Sequence, residues 1–211
     1  MNVTMADMER VFCISAGEGM GTAFTLEYSN RQYLVTAKHL FNKANYPIVH
    51  SIYFLGYDQG KELHNADIWY HPADEVDVAV LPLMKDVSPR QNNPFGINYA
   101  SGDEVLFYGY PHCLSTNALS VNISKPLPMA KRAMVAGFHS KYITVLDGLG
   151  NPGFSGGPVY LPITNSEGNL SEYKEIIGII SGGFIDTGLI MMSTIDAAYE
   201  IIVENTQNRS S

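Results

Sequence analysis

From Gly150 to Pro158 the chain reads Gly-Asn-Pro-Gly-Phe-Ser-Gly-Gly-Pro, and this stretch decides between the folds that the sequence could adopt. It places one serine, Ser155, among glycines, where the backbone can turn sharply and expose both a hydroxyl and neighbouring amides. A nucleophile that must also build an oxyanion hole needs this arrangement. Because a serine hydroxyl is a poor nucleophile without a base, the stretch predicts a histidine elsewhere, with a carboxylate behind it.

The order of residues along the chain decides which kind of serine hydrolase this stretch fits. All six histidines precede Ser155, whereas the α/β-hydrolase order places the histidine last, so that fold is excluded even though the G-x-S-x-G pattern is present. The subtilisin order requires an aspartate before the histidine and a helix after the serine. Only Asp7 precedes His39, and Pro158 argues against a helix there. The order that remains is histidine, aspartate, serine.

Two further stretches supply the histidine and the aspartate in that order. Residues 35–40 read Val-Thr-Ala-Lys-His-Leu and place His39 at the end of a β-like run. Residues 76–81 read Val-Asp-Val-Ala-Val-Leu, in which Asp77 stands on the face opposite the three valines. An aspartate in such an apolar run needs a buried partner, and His39 would supply one. Asp74 precedes the run and is predicted to be solvated.

Short β-like runs rich in Val, Ile, Tyr and Phe dominate the chain, which favours an antiparallel barrel or sandwich over alternating β-α units. The predicted strands are 11–16, 22–28, 31–37, 48–55 and 76–81 in the first half, and 104–110, 118–123, 134–138, 142–147, 159–161, 175–181 and 188–193 in the second. A polar stretch with two prolines at 85–96 predicts a linker between two subdomains. The helical spacing of the isoleucines after Ser193 predicts one terminal helix.

Composition narrows the possible partners and the compartment. The net charge of −8 argues against a nucleic-acid partner, and no apolar stretch is long enough to span a membrane. The first residues lack the basic and apolar regions of a signal peptide, and the two cysteines, Cys13 and Cys113, are few for a secreted enzyme, so we expect a cytoplasmic protein. Whether these cysteines are bonded stays open. Histidines and cysteines lack metal-ligand spacing, so no metal and no cofactor is expected.

Taken together, these motifs resemble those of trypsin-like serine proteases. Residues 153–158 resemble the serine box, residues 36–39 the histidine box and residues 77–81 the aspartate box. Residues 178–183, Gly-Ile-Ile-Ser-Gly-Gly, resemble the strand that lines the substrate cleft. The details are most similar to HtrA-like and other bacterial-type members, and the resemblance covers roughly residues 10 to 205.

The resemblance implies an all-β, chymotrypsin-like fold of two six-stranded antiparallel β-barrels with a C-terminal α-helix. A single peptidase domain would occupy residues 1–211, with the first barrel at 8–90, the second at 100–192 and the helix at 193–205. Since the sequence ends at Ser211, no PDZ domain is expected after it.

The resemblance also implies a role for each site residue. Ser155 would attack the scissile carbonyl, His39 would take its proton, and Asp77 would hold the imidazole. The amides of Gly153 and Ser155 would form the oxyanion hole. Ser181 would hydrogen-bond to Asp77, and the segment from Ser181 through Gly182 to Gly183 would pair with the substrate backbone.

Substrate preference follows from the offsets to Ser155. Leu149 would lie near the base of the primary pocket, with Gly183 and Gly188 leaving its walls open, which favours an apolar or small side chain. Asp147 and Asp186 lie close enough in the sequence that a preference for Lys or Arg is the second choice.

One departure from secreted relatives concerns activation. They carry an aspartate just before the serine that pairs with a new N-terminus, and this chain has Phe154 there. The glycines of the serine loop make it costly to order, so we expect the substrate or an activating partner protein to complete it.

The expected activity is that of a serine endopeptidase acting on a protein or peptide substrate. The alternative is a catalytically silent, protease-like module that binds a peptide or protein without cutting it.

Overall fold

The computed structural model describes most of the chain, with gaps. The described residues are 5–16, 19–41, 51–54, 61–64, 67–91, 96, 98–115, 126–164, 170–184 and 187–207. The strands are β1 Val11–Ala16, β2 Gly19–Tyr28, β3 Arg31–Thr36, β4 Ser51–Phe54, β5 Lys61–His64, β6 Trp69–Tyr70, β7 Ala79–Pro82, β8 Glu104–Gly109, β9 Met129–Phe138, β10 Ile143–Asp147, β11 Pro158–Thr164, β12 Leu170–Phe184 and β13 Leu189–Thr194. The helices are α1 Met5–Glu9 and α2 Ile195–Gln207.

The first half of the chain forms an antiparallel sheet in the order β5-β4-β1-β2-β3-β7-β6. Its central hairpin, β2–β3, turns at Ser29 and Asn30, both with positive φ, as in the two-residue turns that match the twist of paired strands. Among the described residues this sheet has seven strands, namely the five that the sequence predicts in this half and two short strands, β5 and β6, that it does not, whereas the resemblance implies six. Its closure into a barrel is not confirmed: among the described strands, β5 and β6 are edges.

The second half forms the closed six-stranded barrel that the sequence predicts, in the order β10-β13-β12-β11-β8-β9. Its interior is lined by aliphatic and aromatic side chains from every strand, and it also takes in Phe154 from the serine loop. Phe154 is fully buried, and its ring meets that of Phe107 edge-on at 5.0 Å between centroids. The residue that precedes the predicted nucleophile is therefore part of the barrel core.

Several element boundaries differ from the sequence prediction. β12 spans 15 residues instead of the predicted seven, and α1 was not predicted at all. The terminal helix begins at Ile195 rather than 193, because residues 193 and 194 still pair in β13 with β12. The strand predicted at 118–123 lies outside the described residues.

Helix α2 packs on both halves of the chain, against β6 and β7 of the first sheet and against β12 and β13 of the second barrel. Its buried face shares one core cluster with Trp69 of β6 and with Val76, Val78 and Val80 around β7. This shared core explains the alternation of the valines in the aspartate stretch, because they face the helix. The helix thereby joins the two halves.

Glu200 fastens that helix to two loops. Its carboxylate accepts hydrogen bonds from Tyr142 Oη at 2.8 Å and from Lys141 Nζ at 3.1 Å, both in the β9–β10 turn. His71 Nδ1 accepts a hydrogen bond from the amide of Ala73, so Nε2 carries the proton that faces Glu200 at 3.3 Å. Burial acts to raise the pKa of Glu200, but these hydrogen bonds outweigh it and hold the pKa below the ordinary glutamate value.

A second polar network holds residues 87–91, the part of the chain that follows the first sheet. The guanidinium of Arg10, 1% exposed, donates to Glu27 Oε2 at 2.5 Å, to the Thr25 carbonyl at 2.6 Å and to Gln91 Oε1 at 2.9 Å. Gln32 bonds to Glu27 as well, and its side-chain oxygen accepts from the backbone amides of residues 87 and 88. The segment predicted as a linker is thus tied to β2 and β3 over residues 87–91.

Replacing Arg10 by methionine is expected to destabilise the fold strongly. Met fills a similar volume but leaves the nearly buried carboxylate of Glu27 without its cation. This loss costs about 3–5 kcal/mol of unfolding free energy. Urea unfolding followed by circular dichroism measures this. Arg90→Met is the matched control, since Arg90 pairs with Asp86 at the surface and its loss should change the midpoint little. Equal effects of the two substitutions would contradict the assignment.

Glu200 should make the free energy of unfolding depend on pH in the acidic range. Because its folded-state pKa is lowered, its contribution is complete above the unfolded glutamate pKa of about 4.3 and is lost as pH falls through the folded value. Urea midpoints of Glu200→Gln should therefore fall less steeply than wild type below about pH 5. Glu204→Gln is the control, as Glu204 has no hydrogen-bond partner within the described part of the chain. Parallel profiles for wild type and Glu200→Gln would refute this role.

Candidate active site

The pairing of β3 with β7 brings His39 to Asp77. Thr36 stands opposite Ala79 in this antiparallel pair, so two residues further along each chain Lys38 faces Asp77. The Lys38 amide donates to the Asp77 carbonyl at 3.4 Å. His39 follows at once, in a 3₁₀ turn over Lys38–Leu40. Strand register alone therefore sets the distance between the two side chains.

Asp77 holds His39 through both carboxylate oxygens. Oδ1 accepts from the backbone amide of His39 at 2.8 Å, and Oδ2 lies 2.6 Å from Nδ1. An ionised carboxylate only accepts, so Nδ1 carries the proton and Nε2 is left bare to act as a base. The neighbouring carboxylates of Asp74 and Glu75 are exposed instead.

The loop of Ser155 packs against the ends of β2 and β3. The Ser155 carbonyl accepts from the Thr22 amide at 2.8 Å. Gly156 has φ +84°, and a Cβ there would lie 2.1 Å from the Thr22 carbonyl oxygen and 2.9 Å from the Ala37 amide, so only glycine fits. Ala37 is two residues before His39. The serine loop therefore lies against the end of β3, from which the chain leads into His39.

Two peptide planes of the loop determine where the candidate oxyanion-hole amides point. The Pro152 carbonyl accepts from the His112 amide at 2.8 Å, and the Phe154 carbonyl accepts from the Gly157 amide at 2.8 Å. In a trans peptide the N–H points away from the preceding carbonyl, so the amides of Gly153 and Ser155 point away from these partners. Within the described residues, neither amide donates a hydrogen bond. Both are therefore available to an incoming oxygen.

The start of the loop is held by a lysine that the sequence analysis did not single out. Lys131 Nζ, on β9, donates to the Leu149 carbonyl at 2.9 Å and to Asn151 Oδ1, and it lies 5.3 Å from the centre of the Phe154 ring. Lys131 stands beside Arg132 and before the strand predicted at 134–138, and nothing in this pattern signals the contact. Together with the burial of Phe154, this lysine anchors the start of the loop through contacts within the chain.

One predicted contact is wrong. Ser181 was expected to hydrogen-bond to Asp77, but its hydroxyl donates to the Met191 carbonyl at 3.2 Å. The pairing of β12 with β13 is irregular between Ile180 and Gly182, and this irregularity turns Ser181 toward Met191. Among the described residues, the carboxylate of Asp77 accepts only from His39.

The predicted substrate-binding residues lie together at the ends of β12 and β13. Gly183 pairs with Ile190, and the Gly148 amide donates to the Gly188 carbonyl at 2.7 Å, which brings Leu149 beside them. Beyond residue 180, β12 pairs with β13 on one side while no described strand pairs with the other. Ser181, Gly182 and Gly183 therefore offer a free backbone edge.

The pocket itself differs in one respect from the expectation. The side chain of Leu149 is 69% exposed, which does not favour a place at a closed base. Ile190 is fully buried, and its side-chain atoms lie 3.5–3.8 Å from where a Cβ on Gly150 would stand. The position of Leu149 in a substrate pocket stays a prediction, as does that of Gly188. Asp147 is exposed, and Asp186 lies outside the described residues.

The described residues contain no group of three or more His, Cys, Asp and Glu side chains placed to hold a metal ion. Within the same residues, neither helix has the length and apolar character needed to cross a membrane. Cys13 is buried in β1, and nothing is described of the side chain of Cys113.

Comparisons with known proteins point to one fold. No protein-family model and no curated protein matches the sequence. Among solved structures, a serine endoprotease from Yersinia pestis matches with a TM-score of 0.64 and 18% identity over 97% of this chain and 67% of its own. The Rv3671c protease of Mycobacterium tuberculosis, in an inactive form, matches with a TM-score of 0.59 and 17% identity over 94% and 90%.

A third match is the HtrA-type protease AlgW bound to a tripeptide, with a TM-score of 0.60 and 20% identity. The match covers 92% of this chain and 59% of the AlgW chain. At these identities the likeness concerns the fold and not the activity. The chain has the fold of HtrA-type, trypsin-like serine proteases.

Proposed function

We propose that this protein is a serine endopeptidase that hydrolyses peptide bonds through His39, Asp77 and Ser155 and an acyl-enzyme. The observation that carries the proposal is the pair of hydrogen bonds from His39 to the Asp77 carboxylate, at 2.6 and 2.8 Å. They fix the imidazole in the tautomer whose free nitrogen can accept a proton. The serine loop is tied to the ends of the same strands that carry this imidazole.

In the proposed mechanism His39 Nε2 takes the proton of the Ser155 hydroxyl as the oxygen attacks the scissile carbonyl. Asp77 stabilises the imidazolium that forms. The proton then passes to the leaving amine, the C–N bond breaks and an acyl-enzyme remains. Water, deprotonated by the same imidazole, attacks the ester carbon and releases the second product with Ser155 protonated again.

The negative oxygen of each tetrahedral intermediate would be stabilised by the amides of Gly153 and Ser155. Two observations support this role. The peptide planes that carry these amides are held by His112 and Gly157, and neither amide donates a hydrogen bond to any described residue. One such donor is worth about 3 kcal/mol in a comparable site.

The proposed substrate is a protein or peptide that binds as an added strand along Ser181 to Gly183. The free edge of β12 at these residues supports this. The AlgW structure contains a tripeptide on the same fold, which adds support for a peptide ligand.

An activating partner stays a proposal, as does the cytoplasmic location. Five glycines between residues 148 and 157 make the loop costly to order. Against the need for a partner, hydrogen bonds from Thr22, His112 and Lys131 already hold the loop from within the chain. Hydrolysis that does not change when a lysate of the source cells is added would exclude the partner.

Substitution of each triad residue tests the proposed mechanism. Ser155→Ala and His39→Ala should each lower kcat by about 10⁴–10⁶-fold, and Asp77→Asn by about 10⁴-fold, because the wrong tautomer then faces the serine. Thermal unfolding should show that Ser155→Ala stays folded. A fluorophosphonate should label wild type at Ser155 alone, as located by peptide mass spectrometry. Labelling elsewhere, or unchanged hydrolysis in Ser155→Ala, would contradict the mechanism.

Ser115→Ala provides the matched control, since Ser115 is an exposed serine outside the loop. If wild type binds peptides but neither hydrolyses them nor reacts with the fluorophosphonate, the silent binding module replaces the peptidase.

The primary preference is expected to be for an apolar or small side chain. A panel of fluorogenic peptides that differ only at the residue before the scissile bond measures kcat/KM for each. Val, Ala or Leu should be preferred over Arg by at least about tenfold, since Gly183 and Gly188 are predicted to leave an open and uncharged pocket, and burying an apolar side chain contributes roughly 1.5–3 kcal/mol. Fast cleavage after Arg, with none after Leu, would instead favour the acidic pocket.

A further inference from the structure

Every polar atom of Thr22, on β2 of the first sheet, forms a hydrogen bond, and two of these bonds are to the serine loop. It is fully buried. Its amide donates to the Ser155 carbonyl at 2.8 Å, and its hydroxyl lies 2.6 Å from the Gly153 carbonyl. Its own carbonyl accepts from the Thr36 hydroxyl at 2.6 Å. No motif in the sequence singled this residue out.

The direction of the hydroxyl bond follows from a third contact. The amide of Tyr110 lies 3.1 Å from Thr22 Oγ1 and can only donate. The single hydroxyl proton is therefore free to go to the Gly153 carbonyl. The hydroxyl thus links Tyr110, which follows β8 of the second barrel, to the serine loop.

These bonds fix alternate peptide planes of the loop. The Gly153 carbonyl belongs to the plane that carries the Phe154 amide, and the Ser155 carbonyl to the plane that carries the Gly156 amide. The plane before them, which carries the Gly153 amide, is held by His112, and the plane between them, which carries the Ser155 amide, is held by Gly157. Four consecutive planes are thus held, two of them by Thr22.

Gly153 is where the loop would rotate if released. Its φ is +103°, a region open to glycine, and a Cβ there would lie 2.2 Å from the Tyr110 carbonyl oxygen, so no other residue fits. Because glycine crosses between backbone regions at low cost, a bond to its carbonyl limits rotation on both of its sides.

We propose that Thr22 is a positioning residue that sets the serine loop across the junction of the two halves, so that the amides of Gly153 and Ser155 face the substrate. It acts through the loop and touches no reacting atom. The inference rests on the proposed peptidase function for its consequence in catalysis, although the loop geometry itself does not depend on that function.

The test compares Thr22→Val with Thr22→Ser. Valine keeps the shape but removes the hydroxyl to which the Gly153 carbonyl and the Tyr110 amide bond, whereas serine keeps it. Thr22→Val should lower kcat on the preferred peptide by at least about tenfold, toward the roughly hundredfold loss of one oxyanion donor, with KM within about threefold. Thr22→Ser should recover most of that loss.

Thr25→Val is the matched control. Thr25 is also a fully buried threonine of β2, but three residues along the strand its side chain faces the other way, toward Arg10 and Ser88. It should lower the melting temperature without changing kcat. A loss of kcat below about tenfold in Thr22→Val, or an equal loss in Thr25→Val, would overturn the proposal.

A second measurement does not need hydrolysis. Amide hydrogen exchange of Phe154, whose peptide plane the Thr22 hydroxyl holds, should be roughly tenfold faster in Thr22→Val than in wild type and unchanged in Thr25→Val. If wild type hydrolyses nothing and resists the fluorophosphonate while the exchange difference is present, the peptidase function fails and the positioning role stands. Equal exchange in wild type and Thr22→Val would reject the positioning role.

Discussion

The hydrogen bond from the Thr22 amide to the Ser155 carbonyl, 2.8 Å long, is the contact on which the site depends. One residue belongs to the first sheet and the other to the second half of the chain. A histidine at the end of β3 can meet a serine after β10 only if the two halves keep this register. Gly156 makes the approach possible, because a side chain there would occupy the space of the Thr22 backbone.

Around this contact, the serine loop is held by apolar packing and by one lysine. Phe154 places the serine loop in the core of the closed barrel, and Lys131 clamps the loop from β9. Helix α2 then covers the valines around Asp77, so that the aspartate strand is packed by a helix from the far end of the chain. The site is therefore assembled by folding itself, from elements that are distant in the sequence.

The sequence could predict the parts whose chemistry is local. The glycines of the serine loop, the alternation around Asp77 and the terminal helix each follow from a pattern of a few residues. Thr22, Lys131 and the direction of Ser181 could not be predicted, because they depend on which strands become neighbours. A buried threonine in a β-like run has the same sequence signature whether it packs in a core or orients a loop. Closure of the first sheet into a barrel stays a prediction, and the short strands β5 and β6 could not be predicted because they carry too few residues to show a period.

The glycine-rich edge at the end of β12 has a consequence for what the protein could act on. An edge that recognises another chain through backbone groups can engage only a segment that is already extended or can become so at small cost. Compact native proteins expose few such segments, whereas partly unfolded chains and frayed termini expose many. Selection would then rest on the conformational freedom of the target as much as on its side chains, and a marginally stable protein would be exposed to cleavage in proportion to how often it opens.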